Sequence, residues 1–290
     1  MKILLADSFD SSLPEKLSKI GEVLSDMSKL SEANVLLIRS KTKVTEDLLQ
    51  QAPNLKLVIR GGVGLDNVDK AACEKRGIKV MNTPEASSVA VAELTMALML
   101  AVPNKLIHAH NSMKEGKWLK KEIKRTELYK KTLGLLGIGR IGSEVAKRAK
   151  SFEMNVIAFD PFVKDHPIAK MVSIDELLKN SDYISIHTPL TEETKGMINA
   201  EMFSKMKDGV VIVNTGRAKV IDETALLEAL KVGKVACYAT DVWPSDPPPE
   251  GYSLLSIPNM VMTPHIGANS KENLLRIGDR IVEILSEFKI

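Results

Sequence analysis

Short apolar runs rich in valine, isoleucine and leucine recur along the chain and alternate with amphipathic segments of helical length. Runs that are apolar without alternation are typical of strands buried on both faces, and helices between them predict parallel sheets. The predicted strands are Lys2–Asp7, Val35–Arg39, Leu55–Arg60, Lys79–Asn82, Thr132–Gly137, Asn155–Asp160, Tyr183–Thr188, Val210–Thr215, Val235–Val242 and Val261–Thr263. The pattern therefore indicates an α/β fold.

The strand series is interrupted between Asn82 and Thr132 by a long apolar segment and a Lys-rich stretch. The apolar segment, Val89–Val102, falls short of the roughly 20 residues that a bilayer requires, so we interpret it as a buried helix. A further amphipathic helix is predicted over Lys271–Phe288 from its apolar spacing. We predict two domains, one formed by residues 1–100 together with 266–290 and the other by residues 101–265.

The composition limits the classes of function. Hydrophobic residues make up 44% and charged residues 27% of the 290 residues, as in ordinary globular proteins. The formal net charge of +3 is too small to indicate nucleic acid as a main partner. Two cysteines without CxxC spacing argue against a disulfide framework and a cysteine-based zinc site. Asp7 interrupts the first apolar run too early for a signal peptide. Because the cysteine content also fits a reducing compartment, we expect a cytoplasmic protein, and we expect no metal site.

A glycine hexamer directly follows the strand that begins at Thr132 and opens a predicted helix. In this context Gly137 allows a tight turn, Gly139 lets a pyrophosphate approach the backbone, and Gly142 lets helix and strand pack closely. The next strand ends in Asp160, near the interval of about 20 residues at which an acid binds the ribose hydroxyls. Its carboxylate would repel a 2′-phosphate, so the sequence favours NAD over NADP. A structural turn with an incidental acid is the alternative.

Three polar residues follow later strands, namely Arg217, Asp246 and His265. Ligands of open α/β sheets bind outside the carboxyl ends of the strands, so we expect these side chains at one cleft. Arginine can bind a carboxylate bidentately, histidine titrates near neutral pH, and a neighbouring carboxylate can orient the imidazole. The chemistry of the three side chains is therefore complementary.

Several motifs in one order resemble the NAD-dependent D-isomer-specific 2-hydroxyacid dehydrogenases. They are Arg39–Thr45, Arg60–Asp69, Asn82–Pro84, Ser112–Trp118, the glycine hexamer, His187–Pro189 and the segments around Arg217, Asp246 and His265. The resemblance covers nearly the whole chain and is nearest to the phosphoglycerate-oxidising branch, in a short form without a regulatory domain. It implies two doubly wound parallel-sheet domains, a Rossmann NAD-binding domain and a flavodoxin-like substrate domain.

By this resemblance, Arg217, Asp246 and His265 occupy the family's catalytic positions. The cofactor is expected to contact Gly137, Gly139, Arg140, Ile141, Gly142, Asp160, Thr188, Pro189, Thr215, Gly216, Asp241 and Gly267. The substrate is expected to contact Arg39, Arg60, Gly62, Val63 and Gly64. The backbone amides between Arg60 and Gly64 can cradle a carboxylate, and Arg39 or Lys43 can bind a phosphate. A structural turn and solvated cations are the alternatives at these positions.

Two positions depart from the family pattern. The family usually has Glu where this chain has Asp246, and Gly where it has Ala218. Asp is one methylene shorter, so either its carboxylate lies closer to His265 or Glu250, beyond the proline run, is the partner. The offset of Asp246 from Asp241 matches the family pattern, which favours Asp246 as the partner of His265. An acid here, in place of a neutral Gln, argues against the formate dehydrogenase branch.

The remaining histidines and tryptophans are expected to do less. His166 is predicted to be exposed, His187 to line the cofactor cleft, and Trp118 and Trp243 to serve in packing. The basic run Lys120–Arg125 is interpreted as a solvated arm or one that faces another subunit.

The resemblance implies oxidation of 3-phospho-D-glycerate to 3-phosphohydroxypyruvate in serine biosynthesis, with NAD as cofactor, by a homodimer joined through the NAD-binding domain. A near alternative is a member of the family that acts on glyoxylate, hydroxypyruvate or another D-2-hydroxy acid. An alternative of another class is an NADH-sensing binding protein of the co-repressor type. The expected partner is a small anionic 2-hydroxy acid, with neither nucleic acid nor a membrane bound.

Overall fold

A computed structural model describes residues 1–288. The strands are β1 (Lys2–Leu5), β2 (Glu22–Leu24), β3 (Val35–Ile38), β4 (Leu57–Arg60), β5 (Lys79–Asn82), β6 (Thr132–Leu136), β7 (Asn155–Phe159), β8 (Lys170–Met171), β9 (Tyr183–Ile186), β10 (Val210–Asn214), β11 (Val235–Thr240) and β12 (Met260–Met262). The helices are α1 (Leu13–Ser18), α2 (Glu46–Gln50), α3 (Lys70–Lys75), α4 (Ser88–Ala101), α5 (Leu106–Lys114), α6 (Arg140–Ser151), α7 (Ile174–Asn180), α8 (Ala200–Lys205), α9 (Glu223–Lys231) and α10 (Lys271–Glu287).

The chain divides into two compact units. One unit consists of Met1–Ala90 and the segment from Ala268 onward, and the other of Val91–Gly267. The first crossing therefore lies at Val91, where the sequence pattern places it at residue 101. The reason is the packing of α4, since Ala92, Met96 and Met99 are buried in the core of the second unit.

The first unit contains a five-stranded parallel sheet with the order β2-β1-β3-β4-β5. This order is that of flavodoxin-like folds, as expected from the resemblance. Residues on α10 pack on one face of the sheet, where Ile277 and Ile281 lie in a buried cluster with Val35 and Leu57. The edge strand β2, which is three residues long and begins with an exposed glutamate, is absent from the sequence prediction.

The second unit contains a seven-stranded parallel sheet with the order β12-β11-β10-β9-β6-β7-β8. The order reverses between β6 and β9, and in doubly wound sheets such a reversal opens a crevice at the carboxyl ends of the strands. Helices cover both faces, with α4 and α6 against one buried cluster and α7, α8 and α9 against the other. The two-residue edge strand β8 is the second strand that the sequence pattern does not predict.

Within residues 1–288, no single helix is long and apolar enough to cross a membrane. The pair α4 and α5, which is bent by 67°, meets the length and composition criteria only when the two helices are taken together.

Candidate active site

The glycine hexamer forms the turn between β6 and α6. Gly137 has a φ of +91° and donates its N–H to the carbonyl of Phe159 at 2.9 Å. A Cβ on Gly142 would overlap the carbonyl oxygen of Gly137, whereas a Cβ on Gly139 would meet no atom within 4 Å. The turn therefore needs its first and third glycines for backbone geometry and packing, and the second leaves open space before the N-terminus of α6. Free N–H groups at such a helix start bind phosphate.

Asp160 follows β7 and contacts this turn. Its Oδ2 accepts a hydrogen bond from the N–H of Ile138 at 3.1 Å, and its Oδ1 accepts one from Phe162 at 2.9 Å. An ionised carboxylate has about four acceptor positions, so capacity for ribose hydroxyls is left.

His166 is half-buried, which differs from the predicted exposure. Its Nδ1 accepts hydrogen bonds from the N–H groups of Ile168 and Ala169 at 3.3 and 3.2 Å. Two donors at Nδ1 place the ring proton on Nε2, which lies 3.1 Å from Ser143 Oγ, and Ser143 in turn donates to the carbonyl of Ile138. The loop after β7 is thereby tied to the glycine turn, and no local sequence pattern signals this link.

A row of residues crosses the sheet one position beyond the paired strand ends. In register, Ile186 pairs with Leu136 and Asn214, and Thr240 pairs with Asn214 and Met262. The next residues along these strands are Gly137, His187, Thr215, Asp241 and Thr263. Side chains in such a row lie on one face of a sheet, because successive residues alternate between faces. Segments far apart in sequence thus meet at one edge.

His187 and Thr188 carry buried polar atoms that lack partners within residues 1–288. Nε2 of His187 lies 2.8 Å from Ser185 Oγ, while His187 Nδ1 and Thr188 Oγ1 have no hydrogen bond. Burial lowers the pKa of His187 to about 4, so the imidazole is neutral at physiological pH. Buried polar groups without a partner are rare in native proteins. Together with the open glycine turn, these orphan atoms fit a polar cofactor bound at this edge.

Asn214 fixes the loop that carries Arg217. Its side chain is fully buried, accepts from the N–H of Gly216 and donates to the carbonyl of Arg217, both at 3.0 Å. It also donates to the hydroxyl of Tyr238 at 3.0 Å, and burial raises the pKa of that phenol to about 12. No role of Asn214 is predicted from the sequence alone. A buried amide at a strand end, directly before Thr-Gly-Arg, is the signal that points to it.

The departure at Ala218 is accommodated without strain. Ala218 begins a short 3-10 turn and is not among the described residues that have a positive φ. Glycine is therefore not required at this position, because an L-residue adopts this backbone conformation freely.

Asp246 and His265 are in direct contact. Oδ2 of Asp246 lies 2.5 Å from Nδ1 of His265, whereas Glu250, the alternative partner, is exposed in the loop beyond the prolines. His265 has a φ of +55°, a left-handed conformation that costs a non-glycine residue about 1 kcal/mol or more. The surrounding structure must therefore hold this backbone in place.

Hydrogen bonds to Asp241 fix the backbone on either side of His265. Asp241 is only 2% exposed. Its carboxylate accepts hydrogen bonds from Thr263 Oγ1 at 2.6 Å, from Ile266 N at 2.8 Å and from Gly267 N at 2.7 Å. A Cβ on Gly267 would lie 2.9 Å from Asp241 Oδ2, so only glycine lets the backbone approach so closely. Asp241 thus binds residues both before and after His265.

In the first unit, the turn that contains Gly62 is pinned by the residues after β5. Gly62 has a φ of +148°, and a Cβ there would overlap the Arg60 guanidinium. The Gly62 N–H donates to Thr83 Oγ1 at 2.9 Å, and Asn82 Nδ2 donates to the carbonyl of Val63. These two hydrogen bonds join the turn to the end of β5, and its contact with substrate stays a prediction.

The guanidinium of Arg39 is hydrogen-bonded within the first unit. Its Nη2 donates to the carbonyl of Ala268 at 3.1 Å and its Nη1 to Asn269 Oδ1 at 3.2 Å. Burial lowers the pKa of Arg39, and Asp7 opposes that shift. The guanidinium therefore links the end of β3 to the segment before α10, a role that the sequence does not signal. Phosphate binding by Arg39 stays a prediction.

Known dehydrogenases are similar to this chain over most of its length. It is 50% identical over 260 residues to hydroxypyruvate reductase of Thermotoga maritima, covering 89% of this chain and 85% of that relative. It is 44% identical over 296 residues to D-3-phosphoglycerate dehydrogenase of Archaeoglobus fulgidus, covering 98% of this chain but only 56% of that relative. The solved D-lactate dehydrogenase of Aquifex aeolicus, complexed with NAD and lactic acid, is 33% identical with a TM-score of 0.87, covering 98% of this chain and 94% of that one.

The sequence model of one family matches more than half of the chain. Residues 96–267 match the NAD binding domain of the D-isomer specific 2-hydroxyacid dehydrogenases. This range lies wholly within the second unit, which carries the glycine turn, Arg217, Asp246 and His265. The chain therefore belongs to the D-isomer-specific 2-hydroxyacid dehydrogenases, and its second unit is the NAD-binding domain.

Proposed function

We propose that this protein interconverts a small D-2-hydroxy acid and its 2-oxo acid by NAD-dependent hydride transfer, with Arg217, Asp246 and His265 as its catalytic residues. The contact of 2.5 Å between Asp246 and Nδ1 of His265 carries this proposal. An imidazole that binds a carboxylate through one nitrogen can move a proton through the other.

The chemistry divides among these side chains. In oxidation, the hydroxyl proton passes to Nε2 of His265, the O–H electron pair forms the C=O bond, and the hydrogen on the same carbon leaves with the C–H electron pair as hydride. Bound NAD supplies the acceptor for that hydride. Asp246 holds Nδ1–H and stabilises the imidazolium, and Arg217 binds the substrate carboxylate through its planar guanidinium. General base catalysis of this kind contributes about 10²- to 10⁴-fold in rate.

The residues proposed to hold NAD surround the carboxyl edge of the second sheet. The glycine turn and the start of α6 would bind the pyrophosphate, and Asp160 the adenosine ribose. The further contacts proposed are Arg140, Ile141, Thr188, Pro189, Thr215, Gly216, Asp241 and Gly267. The open space at Gly139 and the orphan atom of Thr188 support this placement.

For the substrate we propose a D-glycerate skeleton. Oxidation of 3-phospho-D-glycerate, as in serine biosynthesis, is supported by the 44% identity to a D-3-phosphoglycerate dehydrogenase over 98% of the chain. Reduction of hydroxypyruvate is the second candidate, favoured by the 50% identity to a relative of which this chain covers 85%. The internal hydrogen bonds of Arg39 also favour it, because they engage the guanidinium proposed to bind the phosphate.

A panel of substrates tests both levels of the proposal. NADH formation or consumption is measured with 3-phospho-D-glycerate, D-glycerate, hydroxypyruvate, glyoxylate and D-lactate. A higher kcat/KM for the phosphorylated acid supports the first candidate, and a higher value for hydroxypyruvate supports the second. NADH binding without turnover of any acid would contradict the enzyme and favour an NADH-sensing protein.

We also propose that the protein is a homodimer joined through the NAD-binding domain. Large apolar side chains are exposed on α5 and just beyond it, with Leu106 59%, Ile107 47%, Met113 55% and Trp118 73% exposed. Soluble monomers rarely expose several such side chains together, and patches of this kind mark protein interfaces. A second copy of the chain is the occupant that we propose.

A further inference from the structure

We infer that Trp243 is a positioning residue of the Asp246–His265 pair, because its indole N–H joins the segment that carries Asp246 to the segment that carries His265. This role rests on the proposed function and adds to it a residue that acts through the Asp246–His265 pair. Trp243 would act through the geometry of the pair, beyond the packing role that the sequence predicts.

Two segments meet at the pair. One leaves β11 and contains Trp243 and Asp246, and the other leaves β12 and contains Thr263 and His265. Nε1 of Trp243 donates to the carbonyl of Thr263 at 3.0 Å. The donor lies three residues before Asp246 and the acceptor two residues before His265. The hydrogen bond of the indole therefore joins the two segments close to the Asp246–His265 pair.

The indole is itself held in place. Its ring packs edge-to-face on Tyr252, with centroids 6.1 Å apart and planes at 81°. The Tyr252 hydroxyl donates to Glu223 Oε2 at 2.9 Å, and burial together with Glu223 raises the pKa of this phenol, so it remains a protonated donor. Glu223 is the first residue of α9. The orientation of the indole N–H is thus anchored on a helix of the domain.

The pair needs such support because water reaches it. The side chains of His265 and Asp246 are 31% and 33% exposed. An exposed ion pair has only a weak preference for one geometry, since solvent competes with each partner. His265 also has a left-handed backbone, with a φ of +55°. Asp241 holds the chain at Thr263, Ile266 and Gly267, and Trp243 supplies the further bond at the backbone of Thr263.

The variant Trp243→Phe tests the bond while keeping an aromatic ring against Tyr252. We expect kcat to fall about 3- to 10-fold, as for one hydrogen bond that acts on the transition state, while the Kd for NADH changes less than about twofold. The acidic limb of kcat against pH should move to lower pH, since the imidazolium loses stabilisation by the carboxylate. A role in packing alone would lower stability and leave the pH profile unchanged.

Asn259→Ala is the matched control. Nδ2 of Asn259 donates to the carbonyl of Ala236 at 3.2 Å, so it joins the same two strands at their amino ends, away from the pair. This variant should lose a bond of the same type without a change in kcat or in the pH profile. If Trp243→Phe behaves like Asn259→Ala while the parent protein turns over substrate, the inference is wrong and the proposed function stands. An inactive parent protein contradicts the proposed function instead.

A measurement without turnover tests the bond directly. The chain has two tryptophans, and Trp118, which is 73% exposed, provides the reference. In protein labelled with ¹⁵N-tryptophan, the indole N–H of Trp243 should exchange with solvent more slowly than that of Trp118. Asp246→Asn should shift the Trp243 resonance and leave that of Trp118 in place. Equal exchange rates, or a Trp243 resonance insensitive to Asp246→Asn, would overturn the inference even if Trp243→Phe does not fold.

Discussion

The carboxylate of Asp246 lies 2.5 Å from Nδ1 of His265, across 19 positions of sequence. The two residues follow neighbouring parallel strands, β11 and β12, so the sheet brings them together at its carboxyl edge. The proposed proton transfer depends on this contact.

Replacing the imidazole should abolish most turnover. In His265→Asn, we expect kcat to fall by about 10² to 10⁴, because the proposed general base is removed. The Kd for NADH should stay within about twofold of the parent value, since the proposed cofactor contacts of the glycine turn and Asp160 are retained. Steady-state kinetics and fluorescence titration with NADH measure the two quantities. A variant with normal kcat would remove His265 from the mechanism.

The two candidate acids can be separated by matched amide variants. In Asp246→Asn, kcat should fall by about 10- to 100-fold, because the amide no longer stabilises the imidazolium that forms when His265 accepts the proton. Glu250→Gln should leave kcat and its pH profile unchanged, since Glu250 is exposed in the loop. Kinetic assays of the two variants make the comparison. If kcat falls in Glu250→Gln and is unchanged in Asp246→Asn, Glu250 is the acidic partner of His265.

Asp160 should control the choice between NAD and NADP. In Asp160→Asn, the ratio of kcat/KM for NADP to that for NAD should rise by about 10-fold or more, because repulsion of the 2′-phosphate is removed. Asp165→Asn is the control, since it removes the charge of an exposed acid in the same loop, and it should keep the parent ratio. Kinetics with both cofactors give the comparison, and an unchanged ratio in Asp160→Asn would count against the proposed ribose contact.

His187 should make stability depend on pH. Its pKa is lowered to about 4 by burial, whereas an unfolded histidine titrates near 6.5. The unfolded state therefore binds more protons between these values, and the free energy of unfolding should decrease as pH falls from about 6.5 to 4, by up to about 1.4 kcal/mol per unit. The contribution is fully present above about pH 6.5.

Urea unfolding at several pH values measures this dependence. His187→Gln should flatten the decrease between pH 6.5 and 4, while His108→Gln, a change at an exposed histidine, should retain it. An equal pH slope in the parent protein and in His187→Gln would show that His187 does not carry the effect.

The exposed apolar side chains of α5 should hold the proposed dimer. Leu106→Glu should raise the dimer dissociation constant by about 10-fold or more, because a charge is costly to bury in an apolar interface. Val232→Glu, at a similarly exposed apolar residue after α9, should leave association unchanged. Light scattering coupled to size-exclusion chromatography over a range of concentrations distinguishes the states. A parent protein that is monomeric throughout would contradict the dimer.

The amino-acid sequence by itself determined the elements whose signal is local. Unbroken apolar runs predicted the central strands, as at Val35 and Val210, because a strand buried on both faces has no polar alternation. The glycine hexamer predicted its own turn, since positive φ and close backbone approach at Gly137 and Gly142 exclude other residues. Arg217, Asp246 and His265 were predicted as catalytic residues from their places just after strands.

Only the tertiary structure decided which distant groups meet. It placed Asp246, and not Glu250, on His265, it tied Arg39 to Ala268 and Asn269, and it put α4 in the core of the second unit. It also supplied the edge strands β2 and β8, which are too short for a periodic signal. The physical reason is that a strand or turn follows from its own residues, whereas a contact between loops follows from how sheets and helices pack.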